Sequence, residues 1–187
     1  MKHHSLTAAI ACIQRSVDKK FDLGIGLGDR LLFKCTADMK YFSRTTKAGK
    51  DPCVIMGRKT WESFDEKYRP LPGRANLIIS SQWLDIMGRY PGVYAFKTVQ
   101  EALAWAKEYH SEIWIIGGGE VYKQLLLQCD FLYLTEIRGN EPCDVFFPEF
   151  EKDFEFVKEI QKGLCDHSEV AFVTNLYRRI IKDEGPE

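Results

Sequence analysis

Apolar positions in this chain fall into short unbroken runs, separated by stretches with helical spacing. Leu6 to Ile13 is apolar and rich in small residues, as a strand covered on both faces would be. Pro52 to Gly57, Asn76 to Ser80, Gly92 to Phe96, Glu112 to Ile116 and Phe131 to Ile137 repeat that pattern. Between them the pattern predicts a helix from a Thr36 cap to about Thr46, with Asp38 in its first turn, and a short helix opening at Arg58-Lys59-Thr60. A third helix runs from a Thr98 cap to about Tyr109 on an apolar face of Ala102, Leu103 and Ala106, and a fourth from Glu120 to Gln128. Arg15 to Gly28 reads as a long polar, glycine-rich loop, and Arg69 to Arg74 as a rigid turn holding two prolines. The tail changes character: Phe154 to Ile160 and Val170 to Ile180 flank the polar stretch Lys162 to Ser168, which predicts an antiparallel hairpin. The sum is an α/β chain, one domain over residues 1–187, with a mostly parallel central sheet flanked by helices and a C-terminal antiparallel hairpin. Residues 182–187 read as a frayed tail.

Composition changes this picture little. Of 187 residues, 45% are apolar and 28% charged, an ordinary globular mixture well away from disorder. The 26 basic and 27 acidic residues leave a net charge of −1 with no long single-sign block, so no nucleic-acid or membrane partner is expected. None of the six cysteines forms CxxC, and reduced, packing cysteines in the cytoplasm are the expectation. His3 and His4 read as an incidental exposed pair. With His110 and His167 they form no metal-ligand spacing, so no metal is expected.

The candidate chemistry sits at strand ends. Ile115-Ile116-Gly117-Gly118-Gly119 ends a strand and opens a helix, where bare backbone N–H groups and the helix N-terminus suit a phosphate; a tight turn needing unusual backbone angles would look the same. Gly24-Ile25-Gly26-Leu27-Gly28 is no dinucleotide fingerprint, because a polar stretch parts it from its strand. It fits a mobile flap or a plain surface loop. Arg58-Lys59-Thr60 and Ser80-Ser81 place cations and hydroxyls on the same rim, for a terminal phosphate or merely as solvated strand ends. Asp38, beside Ala37, Met39, Tyr41 and Phe42, could accept paired N–H donors from a planar heterocycle, or simply complement a helix dipole. Arg74 is either a carboxylate clamp or a surface charge.

Taken together these segments resemble dihydrofolate reductase. The likeness runs from Leu6 to about Ile180 and is densest in Val54-Ile55-Met56-Gly57-Arg58-Lys59-Thr60-Trp61-Glu62-Ser63. It continues in Arg69-Pro70-Leu71-Pro72-Gly73-Arg74, Ile78-Ile79-Ser80-Ser81-Gln82, Ile116-Gly117-Gly118-Gly119-Glu120-Val121-Tyr122 and Leu132-Tyr133-Leu134-Thr135-Glu136-Ile137. The resemblance implies NADPH-dependent reduction of 7,8-dihydrofolate, with hydride passing to pterin C6 and a proton reaching N5. It makes Asp38 the pterin-anchoring acid, Thr135 its buttress and Arg74 the clamp on the substrate carboxylate. Ala9, Leu31, Phe33, Met39, Phe42, Phe64 and Leu71 would line the substrate pocket, Leu31 and Phe33 next to the reacting rings. On the cofactor side, Ala11 would hold the nicotinamide carboxamide through its backbone, Arg58, Lys59 and Ser81 the adenosine 2′-phosphate, and Thr60 the pyrophosphate. Ile25, Gly57, Ser80, Ile116, Gly119, Glu120, Val121 and Tyr122 would complete that side, with Gly117 and Gly118 as a pair that the family joins by a cis peptide. The loop from Lys19 to Phe33 would close over both ligands. It departs from the family pattern in carrying Leu32-Phe33 for the usual Pro-Trp, which puts loop timing and inhibitor affinity in doubt. A monomer is expected. The rival readings are a related pterin-like or riboflavin-precursor reductase, a nucleotide-binding module, and a structural protein on the same fold.

Overall fold

A computed structural model describes residues 5–16, 19–165 and 170–181. Its main sheet has the strand order β10-β11-β8-β1-β7-β4-β5-β6. The strands are β1 (Leu6–Arg15), β4 (Pro52–Gly57), β5 (Ala75–Ile79), β6 (Val93–Phe96), β7 (Glu112–Gly117), β8 (Phe131–Arg138), β10 (Phe154–Leu164) and β11 (Ala171–Arg179). From β8 through β6 every neighbouring pair is parallel; β11 joins β8 and β10 in antiparallel fashion. This is the mostly parallel sheet with an antiparallel hairpin edge that the runs predict. Those runs lack alternation because both sheet faces are covered. On one face Ala9, Ala11, Ile13, Cys53, Ile55, Leu77, Ile113 and Ile115 pack under α3 (Val99–Tyr109) and α4 (Gly119–Leu125). On the other, Ala8, Ile10, Val54, Met56, Ile78, Trp114 and Ile116 pack under α1 (Thr36–Thr45) and α2 (Arg58–Ser63), which contribute Tyr41 and Trp61.

Several elements differ from the sequence pattern. Thr98 does cap α3, in a reciprocal capping box with Glu101. The N-cap of α1, however, is Cys35, with no side-chain cap, and Thr36 lies one residue inside the helix. The fourth helix starts at Gly119, ends at Leu125 and continues only as a 3-10 turn, Leu126–Gln128. The stretch read as one loop from Arg15 to Gly28 contains β2 (Gly24–Leu27), which pairs with β1, with β3 (Arg30–Leu31) and with β9 (Val145–Phe146). Its neighbours β1 and β3 are local, but its partner β9 lies more than a hundred residues away, where no local pattern reveals it. The polar stretch after Ile160 extends the hairpin instead of ending it, since β10 runs to Leu164. His3, His4, His167 and residues 182–187 lie outside the described residues.

Candidate active site

The carboxyl ends of β1, β4, β5 and β7 open onto a cleft of about 890 Å³. Crevices at this end of parallel strands are where open α/β sheets take their ligands. The cleft wall gathers Ala11, Ile25, Gly57, Arg58, Lys59, Thr60, Ser80, Ser81, Ile116, Gly118, Gly119, Glu120, Val121 and Tyr122. These come from five separate segments, so the fold unites the residues proposed for the cofactor. Gly117, buried behind this wall, has φ +104, and a Cβ there would come within 2.7 Å of the Tyr122 ring. Only glycine fits such a backbone. The Gly117–Gly118 peptide is cis. Tyr122 is itself held by its hydroxyl, which donates to Ile10 O at 2.7 Å. Ser80 is less available than its position promises: it is buried, and its oxygen accepts from Gln82 N at 3.0 Å. Arg58 shares its charge with Glu62 at 3.3 Å, one helical turn on.

A second group of side chains lies beneath α1, on the opposite face from α3 and α4. Asp38 is half-buried. Burial pushes its carboxyl above the ordinary aspartate range, and a hydrogen bond with Thr135 pulls it partly back. The neighbouring Cys12, Tyr41 and Tyr122 are all kept protonated, by burial first and then with a contribution from the Asp38 charge. At the far end of α1, Arg74 is 9% exposed. Its Nε donates to Pro72 O at 3.1 Å, its guanidinium donates to the Thr46 hydroxyl, and its plane lies 5.8 Å from the Phe42 ring centre. No carboxylate pairs with it among the described residues. Burial lowers its pKa to about 10, which leaves it a cation at neutral pH. Phe42, Phe64 and Leu71 pack on this same face.

Not every residue proposed for the substrate lies there. Ala9 is fully buried on the α3 face, so any contact it makes with a ligand beneath α1 is through backbone. Strand alternation gives that face to Ala8, Ile10 and Cys12 instead. Met39 is 55% exposed on the outer side of α1. Leu31, on β3, lines the cleft mouth, whereas Phe33 packs with Cys12 and Cys35.

Sequence reasoning missed Gln14. It is fully buried and ties the loop after β1 to the loop before β9: its Nε2 donates to Phe21 O and Glu141 O, and its Oε1 accepts from Glu141 N. With Gly28 N donating to Asp144 and Phe147 N to Leu23 O, these bonds anchor the glycine-rich segment at both ends. A buried polar residue closing a strand was the available signal.

The sequence pattern that defines dihydrofolate reductase matches residues 13–179. The chain belongs to the dihydrofolate reductase family. It is 34% identical to a dihydrofolate reductase of Aedes albopictus over 187 aligned residues, covering 88% of this chain and all of that one. With the Drosophila melanogaster dihydrofolate reductase it shares 36% over 141 residues, covering 71% and 77% of the two chains. It also matches 26% of the bifunctional dihydrofolate reductase-thymidylate synthase of Daucus carota, at 37% identity over 68% of this chain. The cleft and the group of side chains beneath α1 adjoin along β1, through Ala11 and Cys12.

Proposed function

We propose that the protein reduces 7,8-dihydrofolate to 5,6,7,8-tetrahydrofolate with NADPH. The observation that carries this reading is the pair of opposite charges bracketing one apolar face. Asp38 sits in the first turn of α1, and Arg74 is held by Thr46 at its C-cap. Eight residues of helix separate these points by about 12 Å. Such spacing suits a ligand with a flat, hydrogen-bond-donating head, an apolar middle and an anionic tail. Dihydrofolate has that layout.

The roles follow from the side chains. Asp38 accepts N–H bonds from the pterin amidine edge, and its raised proton affinity favours placing positive charge on the ring, where N5 takes a proton from water. Thr135 fixes the carboxyl, Phe42, Phe64 and Leu71 exclude water from the ring, and Arg74 takes the α-carboxylate as a forked pair. The cleft chemistry fits NADPH: Gly117 and Gly118 allow close backbone approach beside Thr60, while Arg58, Lys59 and Ser81 offer donors to a 2′-phosphate. That cofactor supplies the hydride. The test mixes purified protein with NADPH and dihydrofolate and follows the loss of absorbance. Turnover well above background is expected; a folded protein without it overturns the reading.

A further inference from the structure

Two residues outside this machinery stand in line behind Thr135, the residue that hydrogen-bonds Asp38. The sheet register sets Gln161 of β10 opposite Thr174 of β11, Thr174 opposite Thr135 of β8, and Thr135 opposite Cys12 of β1. Paired residues project from the same face of a sheet, so the four form one row across four strands. A one-residue shift between Glu159 and Gln161 makes that row possible, because it brings Gln161 and not Ile160 opposite Thr174. Thr135 and Thr174 are 2% and 0% exposed, with their hydroxyl oxygens 2.8 Å apart. Gln161 Nε2 donates to Thr174 Oγ1 at 3.3 Å.

Counting donors gives the row a direction. A threonine hydroxyl has one proton to donate and two lone pairs to accept with. An ionised Asp38 can only accept, so Thr135 commits its proton there. Thr135 must then accept from Thr174, whose own oxygen takes the amide proton of Gln161. We propose that Thr174 and Gln161 are positioning residues that hold the Thr135 hydroxyl in donation to Asp38. Chained hydrogen bonds also polarise one another, so each link strengthens the last. A side chain of the same shape without a hydroxyl at position 174 would free Thr135 to rotate away from the acid.

The titratable groups that sense the Asp38 charge are Cys12 from β1, Tyr122 from α4 and Tyr41 on α1 itself. All three are neutral where Asp38 titrates, so they would not mask loss of the row. The inference rests on the reductase reading for its catalytic meaning, and its test does not. Carbon-13 NMR of the Asp38 carboxyl in ligand-free protein reads the titration directly. In Thr174→Val the midpoint is expected to rise by about half a pH unit, because the carboxylate loses a polarised donor. Thr174→Ser is expected to return it to the wild-type position, and the acid limb of dihydrofolate reduction to move with it. Should Thr174→Val fold poorly, Gln161→Leu at the partly exposed end of the row is expected to give a smaller shift in the same direction. An unmoved midpoint in folded variants overturns the proposal even if the wild type is fully active. A moved midpoint in a wild type without turnover would sustain the row and sink the reductase reading.

Discussion

The cleft at the strand ends and the group of side chains beneath α1, proposed for cofactor and substrate respectively, adjoin along one strand, yet they are made of different material. The cleft sets glycine backbone into its wall at the ends of parallel strands, at Gly57, Gly118 and Gly119, with solvent-facing side chains such as Arg58 and Lys59 at the strand-to-helix junctions beside it. The pocket is built from side chains that converge from distant segments, with Asp38 from α1, Thr135 from β8 and Arg74 from the turn before β5. Arg74 is buried and Asp38 half-buried, and neither has an opposite charge beside it among the described residues. Backbone sites tolerate the loss of any one side chain, whereas a site made of isolated charges shielded from solvent depends on each of them. Substitutions should therefore have steeply unequal effects on the two sides.

Asp38→Asn tests the steep side and carries the largest expected effect. Hydride transfer to dihydrofolate should fall by roughly 10²- to 10⁴-fold, the usual range for a positioned acid–base group, while NADPH affinity stays within about twofold. Equal loss of both would show that the two regions are not separable. The same variant has a stability signature. Folded Asp38 holds its proton more tightly than the unfolded chain does, so its contribution to stability is full below the ordinary aspartate pKa of about 4 and is lost as pH rises through the raised value. Asparagine suffers no such loss. The Tm of Asp38→Asn minus that of the wild type should therefore widen as pH rises above about 4; a constant difference would mean that Asp38 is not strained by burial.

This division between the two regions also explains what could be read from sequence. The cleft lies in contiguous motifs, Gly57-Arg58-Lys59-Thr60 and Ile116-Gly117-Gly118-Gly119, and strand-end position alone brings them together. The pocket depends on register and on which face a residue takes. Ala9 and Ile10 are equally apolar in sequence, but alternation along β1 gives Ala9 to the α3 face and Ile10 to the α1 face. Thr174 and Gln161 carry no local signal, since their meaning arises from a one-residue shift in the hairpin and from pairing with a strand about 40 residues earlier. Gln14 and β2 each have a partner, Glu141 and Phe146, more than a hundred residues on, which no local pattern shows.

Arg74→Met comes next. Methionine keeps apolar contact with Phe42 and removes only the charge. Losing a forked, charge-assisted pair should weaken dihydrofolate binding by about 10- to 100-fold. Binding of a 7,8-dihydropterin that lacks the carboxylate tail should not change. If the truncated ligand weakens as well, Arg74 shapes the pocket as a whole and does not clamp a tail.

Arg58→Ala should give the smallest effect, and it probes the forgiving side. The Arg58 side chain is 44% exposed and already shared with Glu62 at 3.3 Å, so solvent and a competing carboxylate both discount its charge. Lys59 and Ser81 line the same rim and would keep part of any phosphate contact. NADPH affinity should fall only about three- to tenfold, with NADH affinity unchanged, when both are measured by titration. A loss shared equally by the two cofactors would place Arg58 on the common part of the nucleotide instead of the 2′-phosphate. A loss as large as that of Arg74→Met would break the comparison itself, because it would make one exposed side chain on the backbone-built side count as much as a buried charge beneath α1.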